Sequence, residues 1–199
     1  MGYAMRISKA EAERNRARLV DAAAKILREQ GIEGVGVDAL AKAAGVTHGG
    51  VYSHFKSKDD LAAAAVERAL QVSAGEWREF VEAEGGAHAL ARMIRSYVSR
   101  THRDNPGTGC SITSLGAEAG RGGKKLRDVF STGVTDLIAE MQKANPAPTE
   151  AEARERAIVN VATMIGAVVM ARAAVADTDL SDDILKLVRR DLLERNNAN

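Results

Sequence analysis

An all-α fold is what this sequence predicts, on three observations. Apolar residues recur at three- and four-residue spacing through long runs. Only three prolines occur in 199 residues, and alternating β-branched runs are few. The helix-start pattern of a hydroxyl residue followed three positions later by an acid occurs at Ser8–Glu11, Ser57–Asp60 and Thr149–Glu152. The length suits one or two domains with a real core.

The first helix is expected from Ser8, with Leu19, Ala22, Ala23, Ile26 and Leu27 as its buried stripe and Gly31 as its stop. Gly34-Val35-Gly36-Val37 leads into a second helix carrying Leu40, Ala41 and Ala44. Gly45 then allows a positive φ, Val46 plugs the corner, and Thr47 is placed to cap a third helix over residues 47–55. Val51 and Phe55 form that helix's inward face. A small residue, a glycine corner and a capped, partly polar second helix make the pattern of a helix-turn-helix.

Ser57 opens a long helix over 58–83, stopped at Glu84-Gly85-Gly86. Its length makes it the natural mechanical link to the rest of the chain. A continuous helix is expected over 87–103, then a loop at Asn105-Pro106-Gly107-Thr108-Gly109. Helices follow over 110–119 and 126–144, separated by a glycine-rich basic turn. Asn145-Pro146-Ala147-Pro148 stops the chain before a helix from Thr149 to about 176. Ser181 is read as the cap of a last helix over 182–195, and the asparagine-rich end as frayed.

The central block, Ala44-Gly45-Val46-Thr47-His48-Gly49-Gly50-Val51-Tyr52-Ser53-His54-Phe55-Lys56-Ser57-Lys58-Asp59-Asp60-Leu61, resembles the conserved segment of TetR-type transcriptional regulators. It fills nearly every fixed position, and the likeness extends more loosely back to about Arg14. The resemblance implies an N-terminal three-helix DNA-binding domain at 8–57, followed at 58–199 by a larger helical domain for effector binding and dimerisation. It assigns Thr47, Tyr52, His54 and Lys58 to phosphate contacts. Hydroxyls, imidazole and ammonium all donate to phosphate oxygens, which agrees. His48 and Gly50 fall at the family's variable, base-facing positions. Gly49 and Gly50 each cost a helix about 1 kcal/mol relative to Ala, so the helix firms up on its neighbours or on DNA, with a share of shape readout. Where the family usually has Ser or Thr, this chain has Gly36, and no phosphate contact is carried over there.

Net charge is +1, but up to Arg28 seven basic residues (Arg6, Lys9, Arg14, Arg16, Arg18, Lys25, Arg28) face three acids (Glu11, Glu13, Asp21). That excess suits a segment near phosphates, and equally a solvated helix face.

Other chemistries fit poorly. The four histidines, His48, His54, His88 and His102, are not spaced as metal ligands on one helix face, so no metal, cofactor or catalytic residue is expected. The turn at Gly123-Lys124 is no phosphate-binding loop: Glu118 stands where the first Gly belongs and Lys125 where Ser or Thr belongs. The single Cys110 excludes an internal disulfide and reads as a packing thiol, a pocket-lining thiol or an oxidant sensor. Residues 1–8 lack the apolar run of a secretory signal. The apolar stretch 157–176, interrupted by Asn160 and Arg172, is read as too short for a bilayer, so no membrane partner is expected and the location is cytoplasmic.

The expected function is a homodimeric repressor that binds a double-stranded operator and is released by a small-molecule effector. An effector pocket is expected in the region of Met93, Tyr97, Ile112, Leu115, Phe130, Val134 and Met164. The last two helices carry surplus apolar surface and would form the dimer interface. The alternatives are a ligand-blind or Cys110-based redox-responsive DNA-binding protein and, more remotely, a helical enzyme.

Overall fold

The computed structural model describes residues 8–197. The readings of residues 1–7, and of the chain end beyond Asn197, lie outside them. Among the described residues there are α-helices and one 3₁₀ turn, and no strand. A small head is built from α1 (Lys9–Gln30), α2 (Val37–Ala44) and α3 (His48–Tyr52). The body comprises α4 (Lys58–Glu84), α5 (Gly86–Tyr97), α6 (Arg100–Asp104), the 3₁₀ turn Pro106–Thr108, α7 (Ser111–Arg121), α8 (Lys124–Ala144), α9 (Glu150–Ala173) and α10 (Thr178–Arg195).

Local chemistry sets most helix starts. The hydroxyl oxygens of Ser8, Thr47, Ser57 and Thr149 accept from the backbone N–H three residues on, at 3.1–3.2 Å. Gly45 turns the corner in the left-handed region, with φ 67° and ψ 31°. The head closes over Leu19, Ala23, Leu27, Leu40, Val51 and Phe55, all buried.

α4 belongs to both parts. At 27 residues it runs about 40 Å. Its first half buries Leu61, Ala62, Ala65 and Val66 in the same core as α1, and beyond Ala69 it lies along α8 and α5. The approach to α8 is close because Gly133 faces Leu70. A Cβ at Gly133 would fall 2.5 Å from Leu70 Cδ1 and 2.9 Å from Leu70 Cβ. α8 then packs on α9, and α9 on α10.

Among the helices of the body, the structure departs from the sequence reading at four places. The helix expected over 87–103 is two, broken at Val98 (φ −87°, ψ 71°). Ser99 caps the second piece. The His102 ring then holds the corner: Nδ1 donates to Tyr97 O at 2.8 Å, and Nε2 accepts from Cys110 N–H at 3.0 Å. Ser181 is no cap. Asp177 caps α10, and Ser181 is fully buried, donating to Ala171 O at 2.7 Å and accepting from Arg103 Nη1 at 2.8 Å. The chain end is tied at Asn196, whose amide exchanges hydrogen bonds with Asn160 and accepts from Asn145. Finally, by length and composition α9 could cross a membrane, with mean hydropathy 1.4 over an 18-residue window. It lies instead among other helices, burying Ala157, Val161, Met164, Ala167, Val168 and Ala171.

Two charged groups inside the body are paired. Glu140 is buried and accepts from Arg78 Nε at 3.1 Å and Lys143 Nζ at 3.0 Å. Arg103 reaches Asp104 and Asp182, and Asp182 also takes Arg100.

Gly133→Ala should therefore destabilise the protein by about 1–3 kcal/mol through overpacking, read as a lower denaturation midpoint at unchanged m-value. His102 supplies a second test. Burial lowers its pKa from 6.5 to about 4. Between those values the unfolded chain binds the extra proton, so the stability is complete above about pH 6.5 and is lost as pH falls toward 4. The loss is at most about 3 kcal/mol. His102→Gln should flatten the fall in melting temperature across that window, and an unchanged slope would assign it to other groups.

Candidate functional site

The head presents one polar edge, built on an apolar back. Val51 is wholly buried and Phe55 nearly so, which turns Thr47, His48, Gly49 and Tyr52 outward. Tyr52 remains 48% exposed, a high value for an aromatic ring. Its ring lies 5.3 Å from that of His48. α3 is shorter than expected and ends at Tyr52. Ser53 folds its hydroxyl back onto Gly50 O at 2.7 Å, and His54 and Phe55 turn onto Val51 O at 3.0 Å. His54 and Lys58 are half-buried at the start of α4. The seven expected contact residues thus fall within one short stretch around α3, most of them exposed.

The two glycines differ. A Cβ on Gly49 would meet nothing within 4 Å, whereas one on Gly50 would press on Thr47 Oγ1 at 3.3 Å and Val46 at 3.4 Å. Gly50 keeps the cap tight, and Gly49 keeps the outer edge bare.

Two features of this edge were not legible in the sequence. Asp38 on α2 accepts from His48 Nδ1 at 2.5 Å. With Nδ1 engaged, Nε2 is the nitrogen left to point outward. The ten-residue spacing across a corner gives no periodic signal. Arg16 on α1 lies over the Phe55 ring at 4.8 Å, beside His54 and Lys56, and adds positive charge to the flank of the edge.

A half-open cavity of about 220 Å³ lies in the body where α4, α5 and α6 meet the 3₁₀ turn. Of the seven residues expected to line a pocket, Tyr97 does so. Met93, Leu115, Phe130 and Met164 are buried in the core, with Ile112 and Val134 packed against it. The cavity's other walls come from Ser73, Glu76 and Trp77 on α4, Ser96 on α5 and Cys110 beyond the turn. Trp77 and Tyr97 meet edge to face at 5.7 Å. Burial pushes the Tyr97 phenol well above its usual range and raises the Cys110 thiol, so both stay neutral.

Head and body are joined by polar contacts as well as by α4. Arg28 Nε donates to Gly107 O at 3.0 Å, and Nη2 does so as well. The Glu118 carboxylate accepts from the backbone N–H groups of Ile32 at 2.7 Å and Glu33 at 3.3 Å, just past the end of α1. The turn bonded by Arg28 continues directly into the cavity wall at Thr108-Gly109-Cys110.

Comparison with known proteins adds to this geometry. Residues 19–65 match the family described as bacterial regulatory proteins, tetR family. The HTH-type transcriptional regulator AcrR of Shigella flexneri is 43% identical over 56 residues, covering 28% of this chain and 26% of that protein. The HTH-type transcriptional regulator UidR of Escherichia coli K12 is 33% identical over 92 residues, covering 46% and 45%. These matches span less than half the length of either relative. Over the whole fold, the reduced form of E. coli NemR superposes with a TM-score of 0.74 at 21% identity, covering 89% of this chain and 96% of that one. A TetR transcriptional regulator from Legionella pneumophila gives 0.76 at 13% identity, covering 94% and 97%. Residues 19–65 thus match the N-terminal segment of the tetR family of bacterial regulatory proteins, and the chain as a whole shares the helical fold of the solved TetR regulators.

Proposed function

We propose that the protein is a cytoplasmic homodimeric repressor, bound to a near-palindromic operator and released from it by a small-molecule effector. Residues 8–57 act as the DNA-binding unit and residues 58–199 as the effector-binding and dimerisation unit. The observation that carries the reading is the outward edge of α3, with Tyr52, His48 and Thr47 exposed around a buried Val51. In a major groove, Thr47, Tyr52, His54 and Lys58 hold phosphates, and His48 and Gly50 face the bases. Gly49 allows close approach.

Dimerisation is supported by the apolar surface that α9 and α10 leave uncovered. Ile158, Val159, Val169 and Met170 repeat at eleven residues on one side of α9, and Leu180 and Leu187 at seven on α10, all exposed. Repeats of eleven and seven keep residues on one helix face. Pairing with a twofold copy would bury them in a four-helix interface and set the two heads about one DNA turn, roughly 34 Å, apart.

Effector control is supported by the cavity and its connections. α4 starts beside α3 and lines the cavity further along. A change at Trp77 therefore has a rigid path to Lys58. The bonds of Arg28 to the 3₁₀ turn give a second path. A raised, buried Cys110 thiol favours this reading over redox control, since the thiolate is the reactive form.

Lys58→Ala combined with Tyr52→Phe should weaken operator and non-operator DNA alike. The lysine change should make the dependence of log K on log salt shallower by about one unit. Intact binding in a salt-series gel shift would show that the contacts lie elsewhere. Met170→Glu should convert the protein to a monomer by sedimentation and cost about 100-fold or more in operator affinity, because the second head loses its high local concentration.

A further inference from the structure

The cavity wall is rich in hydrogen-bond acceptors. Ser73 Oγ donates its proton to Ala69 O, Ser96 Oγ to Met93 O, and Thr108 Oγ1 to Asn105 O, each at 3.2–3.3 Å. Each hydroxyl oxygen keeps acceptor capacity after that donation. Asn105 Nδ2 donates to Thr101 O at 2.8 Å, which leaves its Oδ1 as an acceptor. Glu76 adds a carboxylate. The wall therefore accepts hydrogen bonds at several points, beside the donors of Trp77, Tyr97 and Thr101.

The candidates for a positively charged wall are otherwise engaged. Among the described residues no Lys or Arg lines the cavity. His102 uses both ring nitrogens on Tyr97 O and Cys110 N–H, and burial keeps the ring uncharged. Arg172 stands behind the turn with its guanidinium on Arg103 O, His102 O, Thr113 and Ser114. Glu76 stands exposed at the cavity's rim, and the partial desolvation of its carboxyl, with Glu79 near it, raises its pKa. A cation beside it would relieve both.

One buried group points to a missing partner. The Tyr97 hydroxyl is enclosed and, among the described residues, has no oxygen or nitrogen partner. The Cys110 thiol beside it is a weak partner. An unsatisfied buried hydroxyl costs about 1–3 kcal/mol, and a polar ligand would recover it. Trp77 and Tyr97 offer aromatic surface in the same space, and aromatic faces attract cations.

We propose that this cavity binds a small organic amine in its protonated form, its nitrogen held among Glu76 and the hydroxyl and amide oxygens and its apolar body against Trp77 and Tyr97. The proposal deepens the effector reading above and rests on it only for the consequence on DNA. An anion would meet a carboxylate and no cation, and a neutral alcohol would use fewer of the acceptors.

Trp77 is the only tryptophan in the chain, so its fluorescence reports on this cavity alone. Three compounds of one skeleton serve as probes: phenethylamine, 2-phenylethanol and phenylacetate. Phenethylamine should give a saturable change in Trp77 emission and bind about tenfold or more tighter than the alcohol, with no saturable response to phenylacetate. Glu76→Gln, near in shape and checked for an unchanged far-ultraviolet spectrum, should weaken the amine by about 10- to 100-fold and leave the alcohol unaffected. Tyr97→Phe should weaken it less.

Equal or tighter binding of phenylacetate, no response to the amine, or full amine affinity in Glu76→Gln would each overturn the assignment. A gel shift run beside the titration separates the two claims. Saturation by the amine without loss of operator binding supports the site and refutes amine control of DNA. Operator release by a compound that leaves Trp77 emission unchanged refutes this cavity as the control site.

Discussion

The contact between Leu70 and Gly133 is the constraint from which the rest of the body takes its shape. It brings α4 and α8 closer than any side chain at Gly133 would allow. α4 can then serve two cores at once, with α1 against its first half and α8 and α5 against its second. A helix so held transmits a shift along its length, because close-packed interiors do not deform continuously. The exposed edge around α3 and the residues around the cavity are attached to one rod.

The second attachment has a different character. Arg28 and Glu118 bind backbone groups, a carbonyl in one case and two N–H groups in the other. Backbone partners fix where the head sits against the body without depending on which side chains surround them. The Pro106–Thr108 turn takes part both in this junction and, through Thr108, in the cavity wall. Head and cavity therefore meet at a few polar contacts as well as along a long apolar seam.

What could be seen in the sequence was what depends on neighbours along the chain. The caps at Ser8, Thr47, Ser57 and Thr149 act over three residues and were read correctly, as was the glycine corner at Gly45. Ser181 has the same local look as those caps, yet a carbonyl ten residues earlier and an arginine on α6 claim its hydroxyl. The break at Val98 is hidden because it is fixed by His102 reaching Tyr97 and Cys110. Helical periodicity finds residues that fill space, such as Met93, Leu115 and Met164. The polar residues around empty space, such as Ser73 and Asn105, leave no periodic trace. The exposed residues around α3 are carried by a short motif, whereas Asp38, which bonds His48, belongs to another helix.

The last helix is fastened at its two ends by unlike materials. At its start, Asp182 is gripped by Arg100 and Arg103, and the Arg100 hydrogen bond is the main reason its carboxyl titrates below the usual range. At its finish, three uncharged amides, Asn145, Asn160 and Asn196, hold one another. Brine screens the first fastening and strong acid neutralises it, while the second has no charge for either to act on. A change of medium therefore acts on this helix as on a door hung from one post, freeing the leading edge before the trailing one.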